Sequence, residues 1–327
     1  MTSNSTNPSL RIFAAAALAL AAALAGAPTD AEAQSTAPAA AQAEAAPPGS
    51  ADNPHVVEVE AEDYAFRIPA EINSGWTTFR FANQGEEHHF LFITQLPVDV
   101  GYDAFVEQIV MPFNDVWYDL RDGRMTADEA MPALSEELPE WYWGVDFMGG
   151  VGFLAPGASA EATVYLEPGQ YVVECYMRTP DGEMHSMEGM LDPLTVTAEP
   201  SEGSPPPAAL QIVLSEEGMA LDGLPQPGLN TFEVHWADHP EGTFGHDVQV
   251  LRVDNETTVD DVLHWMNFLN LEALTEPAPG SFVGGITPMP AGSTAYFAAE
   301  LEPGRYILAS QYTSHLGVLT EFTVEAR

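Results

Sequence analysis

Apolar and polar side chains alternate through Trp76-Thr77-Thr78-Phe79-Arg80-Phe81, and again through Ala162-Thr163-Val164-Tyr165-Leu166. A period of two is the mark of a strand with one buried face. In Tyr171-Val172-Val173-Glu174-Cys175 the same period puts Tyr171, Val173 and Cys175 together on one face. Short runs of this kind, broken by Pro-Gly turns about every ten residues, predict an antiparallel sandwich. Two stretches change period. Val259, Val262, Leu263, Met266 and Leu269–Asn270 follow helical spacing after Thr257-Thr258, and Tyr102–Leu120 and Thr126–Leu134 do so less cleanly.

The pattern is written twice. Leu166-Glu167-Pro168-Gly169-Gln170-Tyr171 returns as Leu301-Glu302-Pro303-Gly304-Arg305-Tyr306, and Gly149-Gly150 precedes the first copy much as Gly284-Gly285 precedes the second. Upstream, His89-Phe90-Leu91 has its counterpart in His246-Asp247-Val248. Between the copies, 199–208 is rich in Pro, Ser, Gly and Glu, the composition of a linker. The expected organisation is therefore two homologous all-β domains, 55–198 and 209–327, each a Greek-key sandwich with one helical insertion. Leu-Glu-Pro-Gly-x-Tyr resembles the corner of such sandwiches at which a Tyr hydroxyl ties down the backbone just upstream.

The beginning of the chain reads differently. Arg11 precedes a run of about 16 apolar residues, short for a membrane span and suited to a signal-peptide core. Ala31-Glu32-Ala33 offers a small-x-small cleavage pattern. Residues 1–33 are thus expected to be a signal peptide and 34–54 an Ala/Pro-rich disordered leader, which makes the protein periplasmic or extracellular, with no membrane insertion after cleavage. Charge narrows the partners. The 327 residues carry 49 acids against 9 bases, a net charge of −40, and all the bases are Arg. A nucleic acid or an anionic membrane surface needs a basic patch, so neither is expected as a partner. The acidity is not that of a disordered chain, because 46% of residues are hydrophobic and 10% aromatic. It could equally reflect high salt or high temperature. A single Cys excludes disulfides within the chain and multi-Cys zinc or iron–sulfur sites.

That Cys belongs to the one constellation that could carry chemistry: Cys175, His185 and Met190, with His88 or His89 earlier in the chain. A thiolate, two imidazoles and a thioether are a soft nitrogen–sulfur set, and three strong ligands with one weak axial sulfur suit copper. Cys175, His185 and Met190 would come from one loop joining the last two strands of the first copy, and the His from the strand entered at Asn83-Gln84-Gly85. His88 and His89 both continue into apolar faces, so alternation does not choose between them; the repeat, which aligns His246 with His89, favours His89. Met177, Met184 and Met187 crowd the loop as apolar fill or spare soft ligands, and Glu174 and Glu188, which flank it, should matter little to affinity if they point to solvent.

Asn83-x-Gly85 followed by His, then Cys175-x9-His185-x4-Met190 ending in Gly189-Met190, resembles the type 1 site of cupredoxins, the blue-copper proteins. The ligand loop is most similar to that of copper nitrite reductases. The resemblance implies one type 1 copper in 55–198, held by His89 (or His88), Cys175, His185 and Met190, and one-electron exchange with a redox partner protein. Nitrite reductases and multicopper oxidases place a His beside the ligand Cys to reach a second copper centre; here the neighbours are Glu174 and Tyr176, and no His-x-His occurs, which argues against an enzyme. In the second copy Ser310 stands at the Cys position and Val318 at the Met position, so that copy is expected to be metal-free, with His315 brought near Ser310. A copper carrier or storage module using the Met-rich loop, and a metal-free sandwich that binds a protein, are the competing functions.

Overall fold

The computed structural model describes residues 55–240 and 243–326; the expected signal peptide and leader lie outside the described residues. The chain is all-β, with the helices set between strands. The first half holds β1 (Val56–Glu62), β2 (Ala65–Arg67), β3 (Glu71–Asn83), β4 (Phe92–Gln95), β5 (Ser159–Leu166), β6 (Gly169–Glu174) and β7 (Leu191–Pro200). The second holds β8 (Leu210–Ser215), β9 (Gly218–Asp222), β10 (Gly228–Trp236), β11 (Val248–Val253), β12 (Ser281–Ile286), β13 (Thr294–Leu301), β14 (Gly304–Ala309) and β15 (Leu319–Val324).

Pairing follows one scheme in both halves. β1 lies parallel to β3 and β8 parallel to β10, while β3 and β10 run antiparallel to β5 and β13. On the opposite face β4-β6-β7 and β11-β14-β15 are antiparallel. β3 serves both layers: Glu71–Asn73 pairs with β7, the register shifts at Ser74, and Gly75–Ala82 pairs with β5. The halves are fused edge to edge, because β5 pairs antiparallel with β13 through Ala162 opposite Phe297. Isolated bridges from Val151 and Leu154 to β12 add a second seam. The alternation that marks these strands has its expected use: Phe79, Phe81, Val164, Leu166, Phe232 and Val234 are all buried. Both Tyr corners close, with the hydroxyl of Tyr171 donating to Glu167 O at 2.7 Å and that of Tyr306 to Glu302 O at 2.9 Å.

The first insertion comprises α1 (Tyr102–Phe105), a π-helical turn (Val106–Val110), α2 (Met111–Arg121) and α3 (Ala127–Glu137). A four-residue α4 (His185–Glu188) lies in the loop between β6 and β7, and α5 (Val259–Met266) is the second insertion. Thr126 with Glu129 and Thr258 with Asp261 form capping boxes, which is why these two helices start where they do. The spacing predicted a longer α5, reaching Asn270. It stops at Met266, where Asn267 turns to an extended conformation (φ −73°, ψ 102°), and the guanidinium of Arg178 takes the carbonyls of Phe268, Asn270 and Ala273 beyond the helix. The segment read as linker also begins as ordered structure: β7 continues to Pro200, and the backbone N–H of Ser201 donates to Ser74 O at 2.7 Å. Among the described residues no helix is long and apolar enough to cross a membrane.

Candidate metal centre

Three side chains from two places in the sequence converge at the end of the first sandwich. His89 stands between β3 and β4, Cys175 directly follows β6, and His185 opens α4. All three are fully buried. Their donor atoms lie within 4.8 Å of one another: His89 Nδ1 is 3.1 Å from His185 Nδ1, and the Cys175 sulfur is 3.9 Å from the first and 3.7 Å from the second. Ligand bonds of about 2.0–2.1 Å from nitrogen and about 2.3 Å from sulfur, spread around one point, give edges of roughly 3–4 Å.

The outward ring nitrogens decide what faces inward. His89 Nε2 meets Asp63 Oδ1 at 2.5 Å, and His185 Nε2 meets Glu87 Oε2 at 2.9 Å. A carboxylate only accepts, so each Nε2 carries the proton and each Nδ1 presents a bare lone pair. Two such lone pairs 3.1 Å apart repel one another unless a proton from the Cys175 thiol or a cation sits among them. Carboxylates on the far nitrogens are also how metal-bound imidazoles are oriented and made more basic. Protonation states agree with this. Burial depresses His89, and it depresses His185 to about 3, so both rings are neutral, the ligating form. Burial pushes the Cys175 thiol up to about 12, only partly opposed by backbone N–H bonds from Met177 and Phe90. The pocket thus keeps its thiol protonated when no cation is bound. The donor set fits a soft metal ion held by two imidazoles and one thiolate.

Two glycines permit the approach. A Cβ on Gly85 would stand 2.2 Å from Asp63 Oδ1 and 2.7 Å from His89 Nε2. A Cβ on Gly189 would stand 2.7 Å from Tyr64 O, and Gly189 has φ +135°, a left-handed conformation that side chains avoid. Asn83 ties the turn itself: its side-chain oxygen accepts from Gly85 N at 2.9 Å, and its Nδ2 donates to Glu87 O at 2.7 Å and Leu154 O at 2.9 Å. These are the physical duties of the Asn83-x-Gly85 and Gly189-Met190 signals.

The remaining candidates fall as follows. Met190 is fully buried and its backbone joins the other two ligand positions, accepting from Cys175 N at 3.0 Å and donating to His185 O at 2.9 Å. His88 is buried too but belongs to a different contact: its Nδ1 is bonded to the Glu276 carboxylate of the other half, and its ring stands edge-on to Phe282. Met177 and Met184 are buried, whereas Met187 and Glu188 are exposed. Glu174 is half-buried and lines a cavity, where burial pushes its carboxyl up to about 7.

Asp63, Glu87 and Tyr64 were missed by sequence reasoning. Tyr64 packs its ring 4.8 Å from that of His185 and donates its hydroxyl to Glu87 Oε1 at 2.9 Å. Glu87 carried a weak signal, since it adjoins the His pair. Asp63 carried none, because it reaches His89 from the distant β1–β2 turn.

The equivalent place in the second half is built of oxygen. Ser310 N donates to Val318 O at 3.2 Å, the same backbone bond that joins Cys175 to Met190. Ser310 Oγ donates to Asp247 Oδ1 at 2.8 Å, Thr313 Oγ1 stands 2.7 Å from Ser310 Oγ, and His246 Nδ1 lies 3.0 Å from Thr313 Oγ1. His246 and Asp247 are fully buried, and burial pushes the Asp247 carboxyl up to about 6. Among the described residues, the group of three or more His, Cys, Asp or Glu placed to share one ion is His89, Cys175 and His185.

No protein-family model and no curated protein matches the chain. Solved structures do match. Auracyanin A, a "blue" copper protein from the green thermophilic photosynthetic bacterium Chloroflexus aurantiacus, is 18% identical and aligns with 44% of this chain and 100% of its own, with a TM-score of 0.28. A dithionite-reduced auracyanin from the photosynthetic bacterium Roseiflexus castenholzii is 20% identical over 43% of this chain and 96% of its own, with a TM-score of 0.26. A multicopper oxidase is 14% identical over 83% of this chain and 88% of its own, with a TM-score of 0.22.

Proposed function

We propose that this chain is an exported protein with one type 1 copper, held by His89, Cys175, His185 and, weakly, Met190, and that it passes single electrons to and from a partner protein. The observation that carries this reading is the pair of bare imidazole nitrogens facing the Cys175 sulfur while their outer nitrogens are tied to Asp63 and Glu87. Copper bound there would supply a one-electron couple. The chain's own part is to fix the ligands beforehand. Asp63 and Glu87 set the ring orientations, Asn83 sets the turn, and the backbone bonds among Cys175, His185 and Met190 set the loop, so that either oxidation state meets the same cage. Full burial of the three strong ligands keeps water from competing. Cys175 is flanked by Glu174 and Tyr176 rather than by His, which favours an electron carrier over an enzyme with a second copper. The division into a copper-binding domain at 55–198 and a metal-free partner at 209–327 belongs to the same proposal.

The test is colour. Copper(II) added to the purified chain should give intense blue or green absorption at one ion per chain. Cys175→Ser should abolish it, because a hydroxyl cannot replace thiolate-to-copper charge transfer. Met190→Leu should keep the metal and the colour while raising the reduction potential, since a weak axial thioether tunes more than it holds. A colourless protein, or a Cys175→Ser variant with an unchanged spectrum, sinks the proposal.

A further inference from the structure

None of the three strong donors at the metal centre reaches the surface: the side chains of His89 and His185 are wholly buried, and so is Cys175. An electron entering or leaving must therefore cross a further layer of side chains. On the His185 side two connections meet at one residue of that layer. The ring of Tyr64, which is half-buried, stands 4.8 Å from that of His185 at an interplanar angle of 57°. The Glu87 carboxylate forms a second link, accepting from His185 Nε2 through one oxygen and from the Tyr64 hydroxyl through the other, each at 2.9 Å. Ring contact and hydrogen-bonded bridge thus converge on Tyr64. The seating is close, since Tyr64 O would stand 2.7 Å from a Cβ on Gly189, four residues after His185. The other two ligands offer no counterpart. The outer nitrogen of His89 ends on the Asp63 carboxylate, which has no ring to continue the path, and Tyr176, next to Cys175, turns its hydroxyl to Tyr312 and Gln311 of the second half.

We infer that the ring of Tyr64 is the port through which the metal centre exchanges electrons, by way of His185. The inference rests on the copper reading and adds the route, which that reading leaves open. Electronic coupling falls steeply across each gap between atoms, and least across hydrogen-bonded and π contacts. The ligand joined to a surface side chain by both kinds of contact is therefore the one that conducts. The surroundings of the port set the charge of its partner. The carboxylates of Asp63, Glu87 and Glu188 all act on the Tyr64 hydroxyl, and Glu86 and Glu188 are exposed, so a cationic one-electron donor or acceptor is drawn to this spot. The step moves one electron between the centre and that partner through His185 and Tyr64, and it neither makes nor breaks a bond.

Stopped-flow oxidation of the reduced, copper-loaded full chain by tris(phenanthroline)cobalt(III), which ends as cobalt(II), tests it. Tyr64→Leu keeps bulk over His185 but removes the ring, and should slow the reaction by about an order of magnitude while leaving the absorption spectrum unchanged. Tyr64→Phe restores the ring and should stay within about threefold of the unmutated chain. A merely structural role would move the spectrum together with the rate, and that result overturns the inference. So does a coloured Tyr64→Leu variant that reacts as fast as the unmutated chain or faster, which leaves the copper reading standing. An unmutated chain that takes no colour from copper(II) sinks the copper reading and the route with it. A measurement without copper decides the matter even where a variant fails to fold. In the unmutated, metal-free chain the redox-inert tris(phenanthroline)chromium(III), of the same shape and charge, should broaden the nuclear magnetic resonances of the Tyr64 ring. Tyr64 resonances that stay sharp in its presence overturn the inference as well.

Discussion

The protons at His89, His185 and Cys175 make a sharp demand on metal binding. Both imidazoles are already neutral in the folded chain, His185 having been pushed down to about 3, whereas the Cys175 thiol, raised to about 12, is protonated at any ordinary pH. A metal ion must therefore displace one proton and only one. Between pH 7 and 9 the copper affinity should rise about tenfold per pH unit, with one proton released per ion, as competition titrations against a chelator would read. A slope of two would mean that an imidazole is protonated in the free chain; a flat profile would mean that the thiol is not a ligand. The carboxylates make a second demand. In Gly85→Ala the new methyl must displace Asp63 from His89, since the present space is 2.2 Å. Losing such an outer partner costs about 10–100-fold in metal affinity. Unchanged affinity in a folded Gly85→Ala would show that Asp63 has no part in orienting the ring. Cys175 and His185 were legible because they crowd one loop in a spacing that soft-metal chemistry explains. Asp63 was not, since a contact made by tertiary folding leaves no local pattern.

Among the elements, the ligand loop is held by a cation rather than by its short helix. Arg178, three residues after Cys175, is 1% exposed and packs its guanidinium 3.3 Å from the centre of the Trp117 ring and 4.6 Å from that of Phe268. It donates to the carbonyls of Phe268, Asn270 and Ala273. One side chain thus binds the loop to α2 on one side and to the segment after α5 on the other. Burial lowers its pKa to about 9, which still leaves it charged at neutral pH. Arg178→Met would fill much of the space but leave the carbonyls of Phe268 and Ala273 without a donor, Asn270 O keeping its bond from Ala273 N, for a loss of about 3 kcal/mol or more. That corresponds to a melting temperature lower by about 6 °C, measurable by calorimetry on the metal-free chain; a shift under about 1 °C would show that water replaces the guanidinium without cost. The helix α5 was legible at its start and not at its end. Thr258 and Asp261 are a local signal for the first turn. Beyond Met266 the chain gives its carbonyls to an Arg some ninety residues upstream, a tertiary contact that helical spacing in Leu269–Asn270 could not reveal.

At the scale of the molecule, the doubled strand order was readable because turn residues and the Tyr corner recur at fixed spacing, whereas the fusion of the halves through β5 and β13 was not. Edge pairing depends on which strand ends up outermost, and alternation along a strand says nothing of that. The charge, by contrast, is fully written in the sequence and has a consequence for the folded whole. Six Arg at the surface (Arg67, Arg80, Arg121, Arg124, Arg252 and Arg305) each pair with at least one carboxylate. Exposed pairs of this kind contribute roughly 0–1 kcal/mol each, so screening them costs little. The surplus of acids over bases repels itself across the folded surface, and unfolding relieves that repulsion by moving the charges apart. Raising sodium chloride from 10 mM to 0.5 M shortens the screening length from about 30 Å to roughly 4 Å, less than the spacing of most like charges on the surface. Repulsion should then fall by more than attraction, and the melting temperature at pH 7.5 should rise by several degrees, levelling off once the screening length is shorter than the mean charge separation. Potassium chloride should act equally, since screening does not distinguish the cations. A melting temperature that falls with salt would mean that the six Arg pairs outweigh the surplus of acids.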